Sequence, residues 1–228
     1  MSDLPEPSDE PSANAAAEGA DVALMPAPPA SVTPTRKRPR PGERRVQILQ
    51  TLATMLEQPG AERITTAALA ARLEVSEAAL YRHFASKAQM FEGLIEFIES
   101  SVFSLVNQIT EREASGVMQA QRIATLLLQF GEKNPGMVRV MVGDALVFEH
   151  ERLIVRMNQF FDRVEAQLRQ SLRIALDDSG DATPTVDAHA LASGLTAFIV
   201  GRLQRFARSG FKRSPTEELE LLLPRLST

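Results

Sequence analysis

Residues 64–91 read ITTAALAARLEVSEAALYRHFASKAQMF, and their spacing decides the fold. Thr65 or Thr66 can cap a short helix, because a side-chain oxygen there takes up one of the N–H groups that a helix start leaves unpaired. Leu69 and Ala70 give that helix its apolar face, and Ala70 is small enough to let another helix come close. Val75 fills the turn. Ser76 caps a second short helix, SEAALYRHF, anchored by Leu80, and Ser86 opens a longer one. Two short helices joined by a turn of about three or four residues form a helix-turn-helix, whose second helix enters the major groove of DNA. Ser76, Ala78, Ala79, Tyr81, Arg82 and His83 fall on or near the exposed part of that second helix. Small side chains at its start let the backbone approach base edges and thymine methyls. Tyr81, His83 and Lys87 are placed for phosphates, and Thr65 or Thr66 offers a hydroxyl and a helix-start N–H to another.

The pattern continues outward as helices. Over residues 43–57 Val46, Leu49, Leu52, Ala53 and Leu56 recur at helical spacing, and Gln58-Pro59-Gly60 closes that helix with a turn. The helix capped by Ser86 runs from Lys87 to about Ile109. After a weak break at Ser115-Gly116, residues 118–133 form a helix with Ile123, Leu126, Leu127 and Phe130 on one side, ended by Asn134-Pro135-Gly136. Residues 137–148 are apolar, short and interrupted by Gly143. Residues 149–176 form a long amphipathic helix, residues 177–184 a loop, and residues 187–209 a second long helix with Gly210 where a C-cap belongs. A short helix follows Pro215. No stretch of period two is long enough for a sheet, so the fold class is all-α, with about nine helices. The long helices near 152–176 and 187–209 are the expected dimer interface. Leu191, Leu195, Phe198, Ile199 and Leu203 supply apolar area. Gly194 and Gly201 permit close packing, either there or within one subunit.

Residues 1–42 hold nine of the 14 prolines and too little apolar surface to offset chain entropy, so disorder is expected there. The net charge of −4 hides a switch: residues 1–31 carry six acids and no base, whereas RKRPRPGERR at 36–45 carries six bases and one acid. A basic arm just ahead of a DNA-binding domain reaches the minor groove or the backbone. The expected organisation is therefore an acidic, proline-rich tail ending in a basic arm (1–42), a helix-turn-helix domain (43–90) and a helical domain for dimerisation and partner binding (91–228).

The chain has no cysteine, which excludes disulfides and thiolate metal sites and fits an intracellular address. No apolar run reaches the ~18 residues of a membrane span, and no basic-then-apolar leader opens the chain. A cytoplasmic, nucleoid-associated protein with no integral membrane segment is expected. His83, His150 and His189 are scattered, and no phosphate-loop, dinucleotide, serine-hydrolase or zinc-protease string is present. Glu149-His150-Glu151 reads as helix neighbours pointing apart rather than as metal ligands. Neither catalysis nor a cofactor or metal is expected. Residues 118–148 offer few polar groups to orient a small molecule, and Met137, Met141 and Met157 read as core packing.

The run 64–91, with LYRHF followed by SK, resembles the DNA-binding domain of the TetR family. That family carries glycine at the turn where this chain has Glu74; a positive φ there costs a non-glycine residue roughly 1 kcal/mol. Farther on, FGEKNPG (130–136), ALVFEHERL (145–153) and RVEAQLRQSLR (163–173) are similar to the nucleoid occlusion branch of the family, and the similarity runs over about residues 44–226. It implies a homodimer on palindromic double-stranded DNA that also contacts the C-terminal tail of FtsZ. Such a dimer keeps the division ring from assembling over the nucleoid, and DNA binding promotes that activity. The implied partner surface is a groove between the helix that begins at Lys87 and the one after it. The matching positions are Phe97, Leu126, Gln129, Lys133 and Asn134, with Gln129 standing where the family has a small residue. Read from the residues alone, Phe97 and Leu126 fit a core equally well. A ligand-responsive TetR-type transcriptional repressor, with the same fold and DNA site, is the alternative.

Overall fold

Capping residues written in the sequence set most of the helix starts. Ala68, Ala79, Gln89 and Met118 donate their backbone N–H groups to the hydroxyls of Thr65, Ser76, Ser86 and Ser115, at 3.1, 3.3, 3.2 and 3.3 Å. Each cap satisfies a donor that would otherwise be orphaned. Of the two candidate threonines, Thr65 is the cap. The structure, a computed structural model, describes residues 42–58 and 64–227. Among these residues there are nine α-helices, one short 3-10 turn and no strand: α1 (Glu43–Leu56), α2 (Thr66–Arg72), α3 (Glu77–Tyr81), α4 (Lys87–Arg112), α5 (Gly116–Lys133), α6 (Pro135–Met141), α7 (Glu151–Ser179), α8 (Pro184–Arg208) and α9 (Leu219–Leu226). The tail at 1–41 and the Pro59-Gly60 turn lie outside the described residues.

Several expectations need correction. Val46 is 48% exposed, while Ile48, Leu52 and Leu56 are buried. Leu52, Ala53 and Leu56 are buried and Leu49 packs on the core as expected, but Val46 sits about 200° around the helix from Ile48, and Ile48 takes its place in the buried stripe. The second short helix stops at Tyr81, and His83 and Phe84 follow it in a turn. The long helix α7 begins at Glu151, with His150 as its cap, rather than at 149. It also continues through Asp177 and Asp178 to Ser179, because nothing breaks it before Gly180, whose φ of 76° reverses the chain. The expected loop shrinks further because Pro184 opens α8.

One continuous apolar cluster runs from Ile48 in α1 to Leu223 in α9. Helix α4 links its two parts, packing on α1 and also on α5, α6 and α7. Met137, Met141 and Met157 are buried in this cluster, as expected of core methionines. Helices α7 and α8 pair along their lengths. Gly210, with φ of 64°, and Phe211 end α8 in a Schellman turn: Phe211 N–H donates to the Phe206 carbonyl at 3.0 Å, and the two rings meet edge to face at 5.2 Å.

Two backbone contacts lock this arrangement. A Cβ at Gly116 would stand 2.2 Å from the Ser171 carbonyl oxygen, fixing α5 against α7; one at Gly136 would stand 2.1 Å from the Ala53 carbonyl oxygen, fixing α6 against α1. Helices α5 and α6 share Asn134, which ends the former and starts the latter. Its side-chain amide donates to the Phe130 carbonyl at 2.9 Å.

Candidate nucleic-acid interface

The turn between α2 and α3 is another Schellman turn. Glu74 N–H donates to the Ala71 carbonyl at 3.1 Å and Val75 N–H to the Ala70 carbonyl at 3.0 Å. The geometry requires a left-handed residue between them, and Glu74 takes φ of 54°. The anticipated strain at this position is thus present. Val75 packs on the core as the turn's apolar plug, while Leu69, Ala70 and Leu80 are buried and hold α2 on α3.

On the outer side, the Thr66 hydroxyl donates to the Glu77 carboxylate at 2.6 Å, and the Tyr81 hydroxyl reaches Thr66 Oγ1 at 3.5 Å. These bonds join the start of α2 to α3, so Thr66 and Tyr81 belong to one polar cluster. Thr65, Ser76, Ala78, Tyr81, Arg82 and His83 are exposed; Thr66, Ala79 and Lys87 are half-buried. An exposed surface of short side chains with aromatic and basic groups at its end results.

Arg45 and Glu77 were missed as individual site residues. Arg45 Nη1 donates to the His83 carbonyl at 2.7 Å, and the guanidinium lies 4.0 Å from the Phe84 ring centroid. The last base of the basic run, already inside α1, thus braces the turn that follows α3; residues 36–41 of the run lie outside the described residues. The basic run was the signal for Arg45, but its target, 38 positions away, has no local trace. Lys87 opens α4 and is ion-paired with Glu149. The neighbouring His150 accepts the Arg152 N–H through Nδ1 at 3.3 Å. The Glu149-His150-Glu151 triplet is therefore divided between a salt bridge and a helix cap.

The implied partner positions lie along the C-terminal half of α5 and beside it. Phe97 of α4 is half-buried, with its ring 6.2 Å from that of Phe130. Gln129 is half-buried and Lys133 exposed. Leu126 is 2% exposed and Asn134 5%, so both shape the wall of this region from within.

Residues 48–94 match the family model for bacterial regulatory proteins of the tetR family, and residues 115–227 match that of a Tetracyclin repressor-like C-terminal domain of SlmA-like type. The nucleoid occlusion factor SlmA of Aliivibrio fischeri (strain MJ11) is 54% identical over 180 residues, covering 78% of this chain and 91% of that protein. This chain belongs to the SlmA family. The SlmA proteins of Vibrio vulnificus (strain YJ016), 53% identical over 178 residues, and Cronobacter sakazakii (strain ATCC BAA-894), 51% over 185, cover 78% and 81% of the chain and 90% and 93% of their own lengths. The all-helical SlmA fold here is shared with solved TetR-type regulators at low identity. The regulator PfmR from Thermus thermophilus superposes with a TM-score of 0.65 at 19% identity, over 80% of this chain and 94% of that one. The ketosteroid regulator KstR2 of Mycobacterium tuberculosis gives 0.61 at 19%, over 82% and 94%.

Proposed function

We propose that this SlmA-family protein is a DNA-bound division inhibitor. It binds palindromic DNA as a homodimer and, while bound, holds the C-terminal tail of FtsZ against α4 and α5. Nucleoid position is thereby coupled to ring assembly. The observation that carries the reading is the 54% identity over 180 residues to a nucleoid occlusion factor. A match of that length in this chain cannot miss the reading helices or α4 and α5.

In this reading Ser76, Ala78, Ala79 and Arg82 face the bases. Thr65, Thr66, Tyr81, His83 and Lys87 hold phosphates. Dimerisation is supported by α8: Gly194 and Gly201 meet no atom within 4 Å of where a Cβ would stand, so neither serves a close contact within the subunit and both leave room for a second copy. Phe97, Gln129 and Lys133 form the reachable part of the partner surface, an aromatic ring and an amide beside a cation, which suits a short peptide with an acidic group. The chemistry is binding throughout, and no residue is given a catalytic role. Among the described residues no helix is long and apolar enough to cross a membrane.

Fluorescence anisotropy of a labelled FtsZ C-terminal peptide, with and without bound palindromic DNA, tests the proposal. Saturable binding that tightens with DNA, and that Lys133→Glu weakens without changing DNA affinity, is expected. No peptide binding in either state, with DNA binding intact, would replace this reading with that of a ligand-controlled repressor.

A further inference from the structure

A polar seam joins α4 to the start of α7. Lys87 pairs with Glu149, Glu92 with Arg152 at 2.7 Å, and Glu99 with Arg156 at 2.6 Å. The first pair stands apart from the other two because it is the most enclosed: the Glu149 side chain is 9% exposed and that of Lys87 27%, whereas in the other pairs the acids are 30% and 20% exposed and the arginines 47% and 35%. Lys87 is also the first residue of α4, directly after the cap Ser86 and a few residues beyond the reading helix α3. One end of the seam therefore lies at the DNA-reading surface and the other on the long helix α7.

We propose that Glu149 is a positioning residue for DNA binding, holding the Lys87 ammonium at the α4 start where it meets a phosphate. The inference rests on the phosphate-facing role proposed above for Lys87. Two outcomes are open when DNA arrives: the phosphate draws Lys87 away from Glu149, or Lys87 serves both. Burial decides between them. A carboxylate this enclosed is costly to leave without its cation, so Lys87 keeps Glu149 when the phosphate arrives. An ammonium has three donors. One to Glu149 leaves two, and the partial exposure of Lys87 leaves them open to an outside oxygen. Held in this way, the lysine needs little reordering on contact. The phosphate it grips also acquires a fixed position relative to α7, through Glu149 just ahead of that helix and through the Arg152 and Arg156 pairs behind it.

The test exploits the sign of the effect. Glu149→Gln removes a negative charge from near the DNA, which by simple electrostatics strengthens binding. A positioning role has the opposite sign: operator affinity falls roughly three- to tenfold, and the dependence of log affinity on log salt becomes shallower by up to about one ion. Glu149→Asp keeps the charge but shortens the reach by one methylene, and an intermediate loss is expected. In a Lys87→Gln background, Glu149→Gln is expected to cause no further loss. Anisotropy titrations of full-length protein across a salt series read all of these, with thermal unfolding of the free proteins verifying the fold. Unchanged or tighter binding by Glu149→Gln, alongside weakened Lys87→Gln, overturns the positioning role alone. Unchanged binding by Lys87→Gln removes the phosphate contact on which it rests.

Discussion

Gly136→Ala probes the contact that seats α6 on α1. An alanine Cβ would stand 2.1 Å from the Ala53 carbonyl oxygen and 3.0 Å from its carbon. Carbon–oxygen contacts in proteins settle at about 3.3 Å or more, so the two helices must separate by about 1 Å. Insertion of one methyl into a tight core costs roughly 1–3 kcal/mol. Here the wall is helix backbone, which cannot rotate aside, and the cost belongs at about 3 kcal/mol. Against it stands the helix propensity of alanine over glycine, about 1 kcal/mol. The net loss of about 2 kcal/mol corresponds to a Tm lower by about 4–8 °C for a domain of this size. Circular-dichroism melting of the two proteins at equal concentration measures it. Propensity alone predicts the opposite sign, a rise of about 2–4 °C. A Tm equal to or above that of the parent protein would therefore refute the claim that α6 rests backbone-to-backbone on α1. Because α1 belongs to the reading unit, the same variant is expected to bind operator DNA more weakly, whereas Gly116→Ala, which strains α5 against α7 instead, is expected to lose stability with a smaller effect on DNA.

Glu74→Gly relieves the left-handed strain in the turn, about 1 kcal/mol, and loses part of that to the freer unfolded chain; a net gain of about 0.5 kcal/mol is expected, and a lower urea midpoint would contradict the strain account. Thr65→Ala removes the α2 cap and is expected to cost about 1 kcal/mol, with Thr65→Ser restoring most of it in the same denaturation assay. Partial desolvation pushes the Glu57 carboxyl above the ordinary glutamate value, opposed by a hydrogen bond from the Gly136 backbone. A carboxyl raised in the folded state contributes stability at low pH that is lost as pH rises through the folded value. Glu57→Gln is thus expected to raise Tm slightly at pH 7, within about 0.5 kcal/mol for a surface site, and to leave it unchanged near pH 4; an equal shift at both pH values would dismiss the ionisation of Glu57 as the cause.

The reading helices were legible because their information is local. A cap at Thr65, Ser76 or Ser86 bonds a backbone N–H only three residues on, and the turn needs its odd residue at one position, where Glu74 stands. Burial was less legible, because helical spacing alone does not say which stripe of α1 meets the core. Val46 and Ile48 both belong to plausible stripes, and only the packing of α1 against α2, α4 and α6 selects Ile48. Leu126 shows the same limit on α5: its chemistry suits a groove or a core, and the surrounding helices close over it. Least legible were the long-range polar contacts. Lys87 and Glu149 are 62 positions apart, and neither neighbourhood hints at the other. The far end of α7 was misjudged for a different reason: the acids at Asp177 and Asp178 resemble a loop in composition, but the backbone continues until a glycine ends it.

Asn134 joins α5 to α6 with no intervening residue. A flexible connector at that place would have to be stilled whenever either neighbour was engaged, at about 1–2 kcal/mol of entropy for each of its residues. Here there is no connector to still. In the proposed reading, a peptide bound beside Lys133 is attached, through Asn134 and Pro135 alone, to the glycine that rests on α1. The calorimetric signature of such binding should be dominated by the contacts made and the water released, with little heat or entropy from the protein rearranging itself.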